Sequence, residues 1–450
     1  MSDTGRQIHK VFARQILDSR GRPTVEADVI LKNGMVGRAS TPSGASTGRY
    51  EAVELRDADR SAYGGRGVTK AVAHINTVIA KALVGTDVRA QAHLDSLLIE
   101  LDGTPNFARL GANAALATSL AACRAAASYV GLPLYRYINE LTPGRQMTMP
   151  VPMTNILSGG AHAGRGMDLQ DFLAMPLRAR TYSEALDMIS TVRNVATGEL
   201  AKKGLTTLLA DEGGLSPGFA DSRDALDIMV QSFVDAGLSP GHDMAITVDV
   251  AASELFKNGK YQLERKGVKL SGREMISMLG ELLHDYPIAS IEDPLDQDDW
   301  ESWAEMTAKF GQIQILGDDL FVTNRDRIER GITSHVANAV LIKLNQNGTL
   351  TGTLAAMATA WSAGYATIVS ARSGETDDSF IADLAVGTGA GQIKIGSVRN
   401  AERLAKYNQL LRIEETEDFV FGSPDGVACV LGSSKSTRLS GRGQSPSLIT

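Results

Sequence analysis

Residues 288–320 read IASIEDPLDQDDWESWAEMTAKFGQIQILGDDL, and this stretch decides the fold. Two short apolar runs, IASI and IQIL, lead to acids: Glu292-Asp293 after the first, Asp318-Asp319 after the second. The step from Glu292 to Asp318 is 26 residues, about one βα unit. The rhythm continues downstream. AVLI leads to Lys343, ATIV to Ser370-Ala371-Arg372-Ser373 and GQI to Lys394, at further spacings of 25, 27 and 24 residues. Upstream, AITV leads to Asp249 and TTLLA to Asp211-Glu212. Helical segments such as SRDALDIMVQSFVDAG and TLAAMATAWSAG lie between the runs. The runs are apolar throughout rather than alternating, which fits strands buried on both faces of a parallel sheet. A barrel fits the count better than an open sheet, and no GxGxxG follows any strand. Residues just past the C-terminal ends of barrel strands converge on one mouth, so these charged groups should meet there.

Outside this region the pattern changes. VEADVILKNGMVGRAS predicts two strands around an Asn33-Gly34 turn. A small-residue loop, TPSGASTGRYEA, follows, and then Ala-rich helical stretches including GANAALATSLAACRAAASYVG, whose small side chains suit close packing. LTPGRQMTMPVPM marks a boundary near residue 142. The expected organisation is an α+β capping domain over residues 1–140 and an α/β part, a (β/α) TIM-type barrel, over 141–430. A flexible Ser/Gly-rich tail, with three basic residues after Val430 and no acid, is expected over 431–450.

The chain has 450 residues, 43% of them hydrophobic and 22% charged, enough apolar content for a large core. Its net charge of −7 argues against a nucleic-acid or membrane-surface partner, which would call for a basic face. No signal sequence or apolar span is visible, and two cysteines do not make a disulfide framework, so a cytoplasmic location is expected.

Asp249, Glu292 and Asp318 would bring three carboxylates to one mouth, where they repel unless a cation sits between them. Any one of them alone reads as a helix cap. Three at strand ends read as a metal site, and oxygen ligands without Cys or His favour Mg²⁺ or Mn²⁺. Lys343 and Lys394 lie in the same ring. A lysine beside a metal and another cation has its charged form disfavoured and can act as a base. Alternatively, both lysines simply bind a phosphate or carboxylate. Arg372 and Ser373 add anion-binding capacity. Together these groups imply a small polyanionic substrate and proton abstraction next to a carboxylate.

The strings DSRGRPTVEADV, PSGASTGRYEA, LDGT, GANAALATSLA, DEGGLSP, SIEDPLDQDDW, GDDLFVTN, LIKLNQNGT, RSGETDDSFIADLAVGTGAGQIK and ERLAKYNQLLRIEE resemble the enolase (phosphopyruvate hydratase) family. The likeness runs in order from about residue 9 to about 416. It implies a Mg²⁺-dependent, reversible dehydration of 2-phosphoglycerate to phosphoenolpyruvate, with two Mg²⁺ per site. Asp249, Glu292 and Asp318 match the ligands of the first ion, and Ser46, in a mobile loop, helps hold the second. Lys343 matches the base that takes the C2 proton, and Glu212 the acid that helps hydroxide leave C3. Gln170, Arg372, Ser373 and Lys394 match substrate-binding positions, and His162 lies in a second mobile loop, GGAHAGRG. A homodimer is the usual assembly, with octamers in some members.

Two positions depart from the family pattern. Asp171 stands where Glu is usual, and Ala371 where SHRSGET would have His. Both family positions lie near the C3 leaving group, whereas the metal, base and phosphate positions are intact. Shortening an acid by one methylene moves it by about 1 Å, a misplacement that can cost about a hundredfold in rate. Arg165, Asn347 and Ile395 are smaller changes nearby. Three readings follow. The first is a working enolase. The second is a paralogue acting on a related phospho-acid or phosphonate, for example in carboxyphosphonoenolpyruvate formation. The third is a non-catalytic protein of the same fold, which has no need of the intact metal and lysine set.

Overall fold

A computed structural model describes residues 4–422. The tail expected over 431–450 lies outside the described residues. The chain opens with three antiparallel strands, β1 (Ile8–Leu17), β2 (Pro23–Leu31) and β3 (Val36–Ser40). The β2–β3 connection turns at Gly34, whose φ of +88° suits glycine. The Ala-rich segment forms the helix Ala112–Val130, nearly all of it buried, lying over β2 and β3. Its small side chains matter because backbone meets backbone here. A Cβ on Gly37 would stand 2.1 Å from the Ala121 carbonyl oxygen and 2.3 Å from the Ala125 nitrogen. Neither atom can swing away, so Gly37→Ala is expected to cost about 2–3 kcal/mol by overpacking. Chemical denaturation would read this as a lower midpoint with an unchanged slope.

Eight strands close a barrel in the order β4 (Val151–Ser158), β5 (Asp171–Pro176), β6 (Met244–Asp249), β10 (Ile288–Glu292), β11 (Gln314–Gly317), β12 (Ala339–Ile342), β13 (Ala366–Ser370) and β14 (Gly391–Lys394). A small antiparallel ribbon, β7 (Phe256–Lys257), β8 (Lys260–Leu263) and β9 (Val268–Leu270), follows β6. Met153, Leu173, Met175, Leu316, Ala339, Leu341 and Ile368 form a buried cluster of barrel side chains. Such layers make a barrel a packed core rather than a pore.

Two expectations need correction. TTLLA is no barrel strand: it is a loop with an isolated bridge between Leu209 and Leu215, and Leu208 is 75% exposed. An apolar run becomes a strand only if a neighbour covers it, and here Leu208 and Leu209 stay exposed while only Ala210 is buried. Nor is the barrel wholly parallel, because β5 runs antiparallel to both β4 and β6. The connection between β4 and β5 holds one short turn of 3₁₀ helix, Ala161–Ala163, so no crossover helix carries the chain back to the starting end. That reversal has a consequence for the site. The parallel strands present their last residues at the mouth, and the reversed β5 presents its first, Asp171, directly opposite Asp249.

The N-terminal part is bolted onto the mouth. Ser43 and Gly374 exchange backbone hydrogen bonds of 2.8 and 2.9 Å. Arg124 from the Ala-rich helix grips Asp378 through two bonds of 2.7 Å. Among the described residues, no single helix is long and apolar enough to cross a membrane.

Candidate active site

Strand register decides which side chains meet. Glu292 is paired with Asp249 across the β6–β10 ladder, so the two carboxylates emerge side by side. From the last residue of β14, Lys394 reaches both, its Nζ donating at 2.7 Å to Asp249 Oδ2 and at 2.7 Å to Glu292 Oε2. Asp318, one residue past β11, accepts from the Lys343 ammonium and, at 2.8 Å, from Gln346 Nε2. All three carboxylates and Lys394 are buried. Behind them, Asp293 accepts the backbone N–H groups of Asp318 and Asp319 at 2.9 and 2.7 Å. Burial and the facing Asp249 push the Glu292 carboxyl well above the usual range. Burial and Asp318 push Asp319 up to about 7.

This arrangement fits a hard divalent cation. Glu292 Oε1 is buried without a hydrogen-bond partner, and so is Gln170 Oε1 beside it in the ring. Gln170 donates to Asp249 Oδ2 at 3.0 Å. The donor set is entirely oxygen, as Mg²⁺ prefers. The ligand oxygens do not all fall into one tight cluster, because Lys394 sits between Asp249 and Glu292 and Lys343 holds Asp318. The tight acidic group is Asp293, Asp318 and Asp319 instead, within 4.8 Å of one another. The doubled acids at 292–293 and 318–319 were the sequence signal for the extra pair.

Lys343 differs electrostatically from the expectation of a disfavoured charge. Burial lowers its pKa, but Asp318 and Glu292 outweigh burial and the nearby Arg372, and hold the ammonium above its ordinary value. A lysine paired to a carboxylate keeps its proton until something else takes the carboxylate's charge.

The anion-binding side is equally enclosed. Arg372 donates from Nη1 to Glu51 at 3.0 Å and to Asn345 at 2.9 Å, and from Nη2 to the Ser46 carbonyl at 2.9 Å. Ser373 Oγ accepts from the Ala45 N–H at 2.7 Å. The loop bearing Ser46 is therefore fastened across the mouth by Arg372 and Ser373 beneath it. Glu51, Asn345 and Gln346 lie inside the matched strings PSGASTGRYEA and LIKLNQNGT, but those strings alone give them no role; their contacts with Arg372 and Asp318 do.

A third cluster surrounds the reversed strand. Asp171 Oδ1 accepts from Ser158 Oγ at 2.6 Å and lies 3.2 Å from His162 Nε2. Asn155 Nδ2 donates to Glu212 Oε2 at 3.3 Å. Burial works against the imidazolium, but Asp171 and then Glu212 and Asp249 hold His162 up at about 9, protonated at neutral pH. Burial also opposes ionisation of Glu212, yet His162, Arg403 and Lys394 keep its pKa below the ordinary value.

One cavity joins these parts. Ser46, His162, Gln170, Glu212, Asp249, Lys343, Arg372, Ser373 and Lys394 all line it, together with Ser370, Ala371 and Ile395. Glu292, Asp318 and Asp171 stand behind its wall, bonded to the lining residues Lys394, Lys343 and His162. A charged, buried cavity with a lysine on one side and a carboxylate on another can move a proton off carbon and stabilise the anion left behind. Residues 146–420 match the family model described as enolase, C-terminal TIM barrel domain, and residues 8–138 match that of the enolase N-terminal domain.

Proposed function

The chain belongs to the enolase family, and from that premise we propose that it catalyses the reversible dehydration of 2-phosphoglycerate to phosphoenolpyruvate. The observation carrying this reading is the single buried cavity that holds Lys343, Glu212, Lys394, Arg372 and Ser373 together. Arg372 and Ser373 bind the phosphate. Lys343 takes the C2 proton, and the C–H electron pair passes into the carboxylate. Asp249, Glu292 and Asp318 would hold one Mg²⁺ and Ser46 would help hold a second, supplying positive charge that makes the C2 proton more acidic. The electron pair then returns to form the C2–C3 double bond as the C3–O bond breaks. Glu212 delivers the proton that lets hydroxide leave as water. Held as a carboxylate, Glu212 draws that proton from the protonated His162 in the same cluster. The same reading makes the protein a cytoplasmic homodimer.

Phosphoenolpyruvate absorbance in Mg²⁺ and 2-phosphoglycerate tests the proposal directly. Robust turnover supports it, and absence of turnover in folded, Mg²⁺-loaded protein refutes it.

A second reading is favoured by one feature, the bare wall at Ala371. This side chain lines the cavity beside Arg372 and brings no imidazole to that wall, which leaves His162, on the Glu212 side, as the imidazole of the cavity among the described residues. A paralogue acting on a related phospho-acid or phosphonate, with a different group at C3, would suit that space. C2 proton exchange of 2-phosphoglycerate with D₂O in the absence of dehydration would favour it. Under the first reading, Asp171→Glu combined with Ala371→His should raise kcat/KM for 2-phosphoglycerate by about tenfold or more. No gain in the double variant means these two positions do not limit the reaction.

A further inference from the structure

A second polar cleft, of about 440 Å³, lies on the far side of the loop that carries Glu212. The helix Tyr182–Lys202 lines it with Ser190, Arg193, Asn194 and Thr197; Thr207 and Arg399 complete the polar wall. None of the residues lining it is acidic, and none is shared with the catalytic cavity. Arg193 is only 5% exposed. Its guanidinium meets neutral acceptors alone: Ser397 Oγ at 3.3 Å from Nε, Thr197 Oγ1 at 2.5 Å from Nη1, and the Gly213 carbonyl at 3.4 Å from Nη2. Of its five N–H donors, two find no acceptor among the described residues. Burial and the adjacent Arg399 charge lower its pKa to about 10, with no carboxylate opposing them.

A buried guanidinium facing a second guanidinium is costly unless an anion completes it. Forked arginine donors match the oxygens of a phosphate group. We propose that this cleft binds a small phosphate-bearing anion between Arg193 and Arg399, separate from the catalytic mouth. The cleft also backs directly onto catalytic machinery. Arg193 holds the Gly213 carbonyl, and the next carbonyl upstream, that of Glu212, accepts the Ser397 N–H at 2.8 Å. Gly213 has φ +86°, and a Cβ there would stand 3.2–3.3 Å from the Cβ atoms of Ser397 and Arg399. An occupant competes with the Gly213 carbonyl for the Arg193 fork, so its binding is linked to the loop that positions Glu212.

Calorimetric titration of the Mg²⁺-loaded full chain with inorganic phosphate tests this. The wild type is expected to bind two phosphates per chain, one in the mouth and one in the cleft. Arg399→Ser should weaken the cleft phosphate at least tenfold, and Arg193→Gln should do the same. Arg372→Gln should remove the mouth phosphate and leave the other. Arg399 is exposed, so its variant decides the question even if Arg193→Gln fails to fold. Phosphate stoichiometry and affinity unchanged in Arg399→Ser overturn the proposal. If the mouth takes no phosphate, the wild type binds one, and its loss in Arg399→Ser still supports the cleft. Displacement of the cleft phosphate by glycerol 3-phosphate would identify a phosphorylated metabolite as the occupant; failure to displace it would identify free phosphate, and both keep the site.

Discussion

Lys343→Ala is expected to lower kcat for 2-phosphoglycerate dehydration by about a hundred- to ten-thousandfold, the usual contribution of a positioned base. The same variant should stop C2 proton exchange with D₂O, because among the described residues the other lysine lining the cavity is Lys394, which is committed to Asp249 and Glu292. Glu212→Gln provides the contrast. Under the proposed roles it removes the proton donor at C3 but leaves Lys343 in place, so exchange should persist while dehydration falls. A Lys343→Ala protein that exchanges the C2 proton at the wild-type rate rules out Lys343 as the base. Misfolding is not the expected cause of any loss, since Asp318 keeps its 2.8 Å bond from Gln346. Circular dichroism of the purified variant checks this.

Glu292→Gln is expected to act with opposite signs on the metal-free and metal-loaded protein. Without metal, Glu292 is a buried carboxyl beside Asp249, pushed well above its usual range, with Oε1 lacking any partner. Neutralising it removes the cost of burying the charge and the repulsion from Asp249, which together outweigh its pairing with Lys394, so the metal-free variant should melt higher than the metal-free wild type. With metal the order reverses. Ligand binding stabilises the native state by RT ln(1 + [L]/Kd), about 2.7 kcal/mol at a hundred times Kd. The variant should forfeit most of that gain at the same Mg²⁺ concentration. The check is a pair of melting curves, in EDTA and in Mg²⁺, for both proteins. An equal Mg²⁺-dependent rise in the two proteins excludes Glu292 as a ligand. Activity should follow the metal, falling to background in EDTA and returning with added Mg²⁺.

The residues at the mouth were legible in proportion to how local their signal was. Asp249, Glu292, Asp318, Lys343 and Lys394 each follow an apolar run; from Glu292 on, the runs recur at one-unit steps through Ser370, whereas Asp249 stands 43 residues before Glu292, and the register of the barrel brings all five together. Glu212 follows a run too, but TTLLA is a loop; Glu212 reaches the mouth because its loop bridges back to β4 through Leu157 and Leu215. Right position and wrong element coincided there. Asp171 owes its place to the reversal of β5, which nothing in the period of apolar residues announced. Glu51, Asn345 and Gln346 lie within matched strings, but their roles were not legible because their partners, Arg372 and Asp318, are remote in sequence or arranged by the turn after β12.

The charge states divided differently. Sequence spacing shows that lysines and carboxylates share a mouth, but whether a lysine is charged depends on which oxygen it touches. Lys343 on Asp318 keeps its proton, and His162 beside Asp171 gains one, through distances of a few ångströms. The Arg193–Arg399 cleft belongs with these, since no motif marks two arginines 206 positions apart. The barrel class, the N-terminal hairpin and the ring of charges at the strand ends follow from local pattern, because period and spacing are set by backbone geometry. The reversed strand, the closure of the Ser46 loop on Arg372, the protonation of the site and the second anion cleft emerge in the folded chain alone. Those depend on non-local contact and desolvation, which arise only once the chain has folded.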